Sequence, residues 1–360
     1  MKKIAVVCKD LSTAGGAERM AIQLIDAIKD EYEIHLIVLH GSGGERFFDV
    51  CPGIPVHVLD NGCFERIRTT YKKCRKGFRK LIKDNHYDYV LLEATYTNFL
   101  GVVMGLGLHT KFIVCDHGSI RSQLDDKSIT FLRRISARLA YRVVVLTESS
   151  RRAYQEIFRI REEKLKCIYN WIEPECLSYD YSYSDESKCI ISVGRFAPEK
   201  KFETIPEIAQ QVFELCPDWQ WHIYGDGEYM DRVKSSIEKE GLQDKVILMG
   251  QRSDVGSLYK NYAFYVMTSC REGLPLVLLE AKANHIPVIS YDIETGPDEI
   301  VTDGVNGYLV ENQNIPVMAS RITDLIKDKE LRREFSSHAY DDINKFSKQE
   351  ILLQWKEVLK

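Results

Sequence analysis

Short runs of β-branched and other apolar residues alternate with amphipathic stretches almost from end to end, and the alternation happens twice. The first series predicts strands at Lys3–Cys8, Ile34–Leu39, Val56–Leu59, Tyr89–Leu92, Phe112–Cys115 and Val143–Leu146. The second predicts them at Cys189–Val193, Trp221–Tyr224, Val246–Leu248, Tyr265–Met267, Val288–Ser290 and Tyr308–Val310. Strands that are apolar on both faces belong in parallel sheets covered by helices. Each series therefore reads as a doubly wound α/β domain. Between them, 171–188 contains Pro174 and a polar run from Ser178 to Ser187, the composition of a linker. The expected domains are 1–170, rejoined by 345–360, and 189–344. A chain of 360 residues is long enough for both cores.

The N-terminal Met1-Lys2-Lys3 is followed by only Ile4 to Cys8 before Lys9 and Asp10, too short an apolar run for a signal peptide. The longest apolar stretch, Phe99 to Leu108, falls far below a membrane span. A cytoplasmic protein is expected. The ten cysteines are scattered, with no C-x-x-C pair, and read as thiols in a reducing compartment. Net charge is −4, yet residues 1–170 hold 28 Lys and Arg against 20 Asp and Glu, while the remainder holds 21 against 33. A basic first half wants an anionic partner or surface, and the acidic second half does not resemble a nucleic-acid binder, so no nucleic-acid partner is expected.

Three loops could hold chemistry. Gly15-Gly16-Ala17-Glu18 sits between the first strand and a helix, where backbone N–H groups and the helix dipole favour an anion. A simple tight turn explains it equally well. Gly194-Arg195-Phe-Ala-Pro-Glu-Lys200 follows the first strand of the second series, and its two cations could converge on a diphosphate. Glu272 and Glu280 bracket a Gly-containing loop and an apolar helix start, and Glu280, set among Leu278, Leu279 and Ala281, needs a partner. A nearby Lys or Arg would satisfy it, and so would two ribose hydroxyls. His117 follows an apolar strand, at the edge where ligands of such sheets bind. There is no Asp-x-Asp clamp for a metal–diphosphate complex, no G-x-G-x-x-G, no Walker motif and no G-x-S-x-G. No metal and no cofactor is expected.

Taken in order, Gly-Gly-x-Glu, His117, Gly-Arg-x4-Lys, Tyr224-Gly-Asp-Gly227, Glu-x7-Glu, Gly296-Pro-Asp-Glu-Ile300 and Asn306-Gly-Tyr-Leu-Val310 resemble family 4 of the retaining GT-B glycosyltransferases, of the bacterial polysaccharide-assembly type. The resemblance spans nearly the whole chain. It implies two Rossmann-like domains facing a central cleft, with the C-terminal helix returning to the first domain. It implies that Arg195 and Lys200 bind the diphosphate of a nucleotide-sugar donor, that Gly16 offers it a backbone N–H, and that Glu280 holds the ribose. Glu272, with the N–H groups of Gly273 and Leu274, would contact the transferred sugar, and His117 would lie beside it at the reaction centre. No protein nucleophile is implied: the leaving diphosphate takes the acceptor proton. The chain departs from the family at Trp171 and Lys201, where Gly is common, and at Gly273-Leu-Pro275, where Gly-Phe-Gly is frequent.

Phe64 to Lys83 predicts a helix with one apolar stripe, Phe64, Ile67, Tyr71, Cys74, Phe78 and Leu81. Nine cations surround it, from Arg66 to Lys83, and only Glu65 and Asp84 balance them. A core-facing helix explains the stripe. Contact with an anionic membrane, or with a lipid-diphosphate acceptor, explains the stripe and the charge together. The expected activity is transfer of a hexose or N-acetylhexosamine, with UDP as the carrier, to a lipid-linked or polysaccharide acceptor. A GT-B-shaped epimerase or hydrolase, and a sugar-nucleotide-binding protein without catalysis, are the alternatives.

Overall fold

The computed structural model describes residues 1–12, 15–41, 49–177, 183, 185–252 and 254–360, with Glu175 described by its backbone alone. The chain forms two compact units, Met1–Tyr169 with Leu352–Lys360, and Asn170–Ile351. The return to the first unit thus starts at Leu352 rather than at 345. There Lys2 Nζ donates to the carbonyl oxygens of Leu359 and Lys360, and Lys356 pairs with Glu31 at 2.6 Å. The segment 171–188 is not a free linker. Ile172 bridges to Ser347, and Pro174–Leu177 is a helical turn packed on the helix Leu276–Ala283. Of its polar run, residues 178–182 and 184 lie outside the described residues.

The first unit contains seven parallel strands: β1 (Lys3–Cys8), β2 (Glu33–His40), β3 (Val56–Asp60), β4 (Tyr89–Glu93), β5 (Lys111–Asp116), β6 (Arg142–Val145) and β7 (Leu165–Cys167). Their order is β3-β2-β1-β4-β5-β6-β7. The second unit contains six: β8 (Cys189–Val193), β9 (Gln220–Tyr224), β10 (Val246–Gly250), β11 (Phe264–Met267), β12 (Val288–Asp292) and β13 (Gly307–Glu311), ordered β10-β9-β8-β11-β12-β13. All twelve expected strands are present. β7 is the addition, too short and too polar in Leu165-Lys-Cys to stand out.

The apolar runs do what their two-sided pattern requires. Ile4 to Cys8 and Val90 to Leu92 are fully buried, covered by helices on both faces. In each sheet the order reverses at one point, between β1 and β4 and between β8 and β11. Loops leaving the strands on either side of such a reversal splay apart and open a crevice at the carboxyl edge.

The basic helix runs from Ile67 to Asn85, so Phe64 precedes it. Cys74, Phe78 and Ile82 are buried in the first core, and Ile67, Tyr71 and Leu81 pack against it. Burying a side chain such as Phe78 contributes about 1.5–3 kcal/mol, reason enough for the stripe. The apolar face therefore belongs to the core and is not free to enter a membrane. No disulfide joins the ten cysteines, all of them among the described residues.

Candidate active site

At the carboxyl edge of the second sheet, the loops after β8, β11 and β12 are tied to one another. Gly194 N donates to Tyr224 O at 3.0 Å, and Phe196 N to Asp226 O at 2.9 Å. The Gly-Arg loop is thereby strapped to Tyr224-Gly-Asp-Gly227. Gly225 and Gly227 hold φ of 140° and 151°, and a Cβ there would stand 1.9 Å from Gly194 O or 2.6 Å from Phe196 O. Only glycine permits so close an approach. The loop ends at Lys201 with φ of 54°, which accounts for the glycine common there in the family.

Lys200 Nζ donates to Glu272 Oε1 at 2.6 Å, and both side chains are more than four-fifths buried. Thr268 Oγ1 donates to Lys200 O at 2.8 Å and Cys270 N to Glu199 O at 2.8 Å, joining the loops after β8 and β11. Thr295 Oγ1 donates to Glu272 O at 2.6 Å, joining the loop after β12. Leu274 is buried and Gly273 half-buried. Glu280 accepts from the Tyr259 hydroxyl at 3.1 Å. Burial, with the Glu280 charge, pushes that hydroxyl well above its ordinary pKa, so it stays a donor. Arg195 stands apart. It is mostly exposed and pairs with Glu199 at 3.1 Å, so two separate carboxylates hold the two expected diphosphate cations.

The first unit gathers its groups after β1, β4 and β5. Gly16 opens α1 (Gly16–Ile28), and its backbone is exposed. The Glu18 carboxylate folds back over Gly15, 2.0 Å from where a Cβ would lie, and so covers that helix end itself. Burial raises the Glu18 pKa, against its own backbone N–H and nearby His117. His117 Nε2 lies 2.5 Å from Glu93 Oε2, a residue the sequence reading passed over. Burial alone would lower the imidazole pKa; the hydrogen bond and charge of Glu93, helped by Asp116 and Glu18, raise it instead.

The backbone at His117 has its own support. Buried Asp116 pairs with Arg133 Nε at 2.8 Å, accepts from the Tyr154 hydroxyl at 2.6 Å and caps Gly118 N at 3.2 Å. A Cβ on Gly118 would meet Arg133 Nη2 at 2.4 Å. Among the described residues no group of three His, Cys, Asp or Glu side chains is placed to hold a metal ion.

Residues 14–175 match the family model described as Glycosyltransferase Family 4, and residues 180–342 match that described as Glycosyl transferases group 1. The chain is 26% identical over 361 residues to an uncharacterized glycosyltransferase of Haemophilus influenzae, covering 100% of both chains. It is 25% identical over 367 residues to the GalNAc-alpha-(1->4)-GalNAc-alpha-(1->3)-diNAcBac-PP-undecaprenol alpha-1,4-N-acetyl-D-galactosaminyltransferase of Campylobacter jejuni, covering 100% of this chain and 98% of that one. Its fold is similar to that of a TarM variant from S. aureus, solved with fondaparinux, alpha-GlcNAc-glycerol and UDP. The TM-score is 0.85 at 17% identity, with both chains covered in full.

Proposed function

Since the chain belongs to the GT-B glycosyltransferases, with a Family 4 domain followed by a group 1 domain, we propose that it transfers a hexose or N-acetylhexosamine from a UDP-sugar to a lipid-linked or polysaccharide acceptor. The configuration at the anomeric carbon is retained, and no metal takes part. The observation that supports this best is the Lys200–Glu272 pair, which sets a diphosphate-binding cation against a sugar-binding carboxylate at the carboxyl edge of a Rossmann-like sheet. UDP in the TarM structure and the undecaprenyl-diphosphate acceptor of the Campylobacter relative support the choice of donor and acceptor.

In this reaction the bond from the anomeric carbon to the donor diphosphate oxygen breaks. The acceptor oxygen bonds the same face, and its proton passes to the departing diphosphate. Negative charge grows on the leaving group, so fixed cations there act more strongly in the transition state than in the ground state. Lys200 and Arg195 supply them, in place of the ion that an Asp-x-Asp motif would hold. Glu280 takes the ribose, and Glu272 with the N–H groups of Gly273 and Leu274 takes the sugar. His117 is assigned to the same sugar, as the family resemblance implies.

A lipid-linked acceptor gives the basic helix a use. Arg66, Arg68, Lys72, Arg75, Lys76, Lys80 and Lys83 are exposed, and near the helix's C-terminal end a cavity of about 770 Å³ is lined by Lys2, Lys83, His86, His109 and Lys111 among others. Cations of this density attract anionic lipid. With the apolar stripe in the core, the contact is adsorption to a surface rather than insertion.

A panel of nucleotide sugars scored by melting temperature identifies the donor, because a bound ligand stabilises by mass action. Transfer is then assayed on an undecaprenyl-diphosphate-linked acceptor, with the anomer of the product assigned by NMR. An inverted product rejects retention. Activity lost in EDTA and restored by Mg²⁺ or Mn²⁺ rejects the metal-free reaction, and donor consumed without glycan growth favours the epimerase or hydrolase alternative.

A further inference from the structure

We propose that Glu93 is a positioning residue of the transfer reaction, whose carboxylate fixes the ring orientation and the protonated nitrogen of His117. This rests on the reading that places His117 beside the transferred sugar. Glu93 ends β4, a strand buried along its whole length, and is itself only 5% exposed. A carboxylate so placed is costly unless something pairs with it. Among the described residues its one ion-pair partner is His117, at 2.5 Å.

The topology makes the pair. β4 and β5 are adjacent and parallel, with Glu93 in register with Cys115, so His117 lies two residues past the point opposite. The chain then breaks away abruptly. Ala94 takes φ of 70° and ψ of 157°, a conformation that costs a non-glycine residue about 1–3 kcal/mol. It is held there by Ala94 N donating to Cys115 O at 3.2 Å and Asn98 Nδ2 to the same oxygen at 2.9 Å. The turn takes the chain directly into α3 (Thr95–Met104) and leaves the Glu93 carboxylate at the strand end beside the imidazole.

A purely structural duty for Glu93 is already filled. Asp116, with Arg133, Tyr154 and Gly118, fixes the backbone of this loop without it. What Glu93 adds is control of the ring. With Nε2–H donated to Glu93, Nδ1 is the atom left to meet a substrate oxygen, as an acceptor when the ring is neutral and as a donor when it is charged. The other charged groups facing the ring are Asp116 beside it and Glu18 on α1, and Glu18 in turn faces Asp10 and Lys9. The raised imidazole pKa agrees with this arrangement.

The test uses ¹⁵N NMR of the His117 ring, with donor-turnover kinetics, on the full-length wild type, Glu93→Gln and Glu93→Asp. In the wild type, Nε2 stays protonated across the titration. Glu93→Gln is expected to lower the imidazole titration by about one unit or more, as loss of an adjacent opposite charge does. It is also expected to mix the tautomers and lower kcat while leaving the donor KM nearly unchanged, with partial recovery in Glu93→Asp. A ring that titrates in Glu93→Gln as in the wild type overturns the proposal. So does unchanged kcat. A wild type that consumes no nucleotide sugar sinks the proposed function itself, and the ring titration still decides whether Glu93 governs His117.

Discussion

Lys200 donates a 2.6 Å hydrogen bond to Glu272 across 72 residues of sequence, so without ligand each is the other's counter-ion. On the proposed function, a diphosphate arriving at Lys200 would meet a cation already part-neutralised, and a sugar arriving at Glu272 a carboxylate already oriented.

Three substitutions separate these roles from each other and from that of the ribose partner. Glu272→Gln removes a negative charge beside the diphosphate and frees Lys200, so bare UDP is expected to bind at least as well as to the wild type, while turnover falls. Lys200→Ala is expected to cost UDP and UDP-sugar about 2–4 kcal/mol, the scale for a buried charge-assisted contact. Glu280→Gln is expected to weaken both ligands alike, since both contain the ribose. Calorimetry with UDP and UDP-sugar on the three variants reads all of this. Equal losses for Glu272→Gln and Glu280→Gln reject the division between sugar and ribose.

Gly225→Ala tests whether Tyr224-Gly-Asp-Gly227 serves as a strap. The φ of 140° and the 1.9 Å approach to Gly194 O leave no room for a Cβ, so the Gly194–Lys200 loop has to move. A stability loss of about 1–3 kcal/mol is expected from backbone strain alone, with UDP affinity falling alongside. Denaturant melts and UDP titration on this variant check it. Normal UDP binding in a folded Gly225→Ala variant would show that the strap does not shape the donor site.

Glu18 yields a pH prediction with a definite sign. Burial raises its folded pKa above the ordinary 4.5. Such a group contributes stability that is present below its unfolded value and is lost as pH rises through the raised folded value. Glu18→Gln is therefore expected to raise the melting temperature relative to wild type at pH 7, with the gain shrinking toward pH 4. The same change removes the negative charge that folds back over the start of α1. A gain that does not depend on pH, or no gain at neutral pH, contradicts the burial argument.

The parts legible in the sequence were those written in continuous local pattern. Ile4 to Cys8 or Val288 to Ser290 must be covered on both faces, and that fixes strand, sheet type and class together. β7 escaped because Leu165-Lys-Cys is three residues long with a cation in the middle. Ile82 was overlooked on the basic helix, although it is more buried than Leu81, because the 3,4 spacing reaches Leu81 first. Glu93 falls one residue past the expected strand Tyr89–Leu92 and carries no local signal; its meaning depends on β5 lying beside β4, which no local window reveals. The same holds for the Lys200–Glu272 and Tyr259–Glu280 pairs, which exist only once separate strand ends share an edge.

The basic helix gives the last expectation, and the structure changes which residues test it. Lys73 already pairs with Asp60 and Glu65 at 3.4 Å each, and Arg79 donates to the carbonyl oxygens of Met104 and Leu106 at 2.8 Å. Neither is a clean probe of a surface. Lys72, Lys76, Lys80 and Lys83 are exposed and lie off the buried face of Cys74, Phe78 and Ile82. Exchanging those four for Gln should leave the fold intact. On a strongly anionic vesicle each is expected to contribute about 1 kcal/mol, so the quadruple variant should lose most of its binding in a liposome sedimentation assay. Binding of the wild type should also fall steeply with salt, because exposed charges are screened over about 8 Å at physiological ionic strength. UDP affinity should not change, since none of the four is among the residues proposed to hold the donor. A wild type that ignores phosphatidylglycerol vesicles at low salt would leave these cations as a solvated back to a core helix, and would favour a soluble glycan as the acceptor.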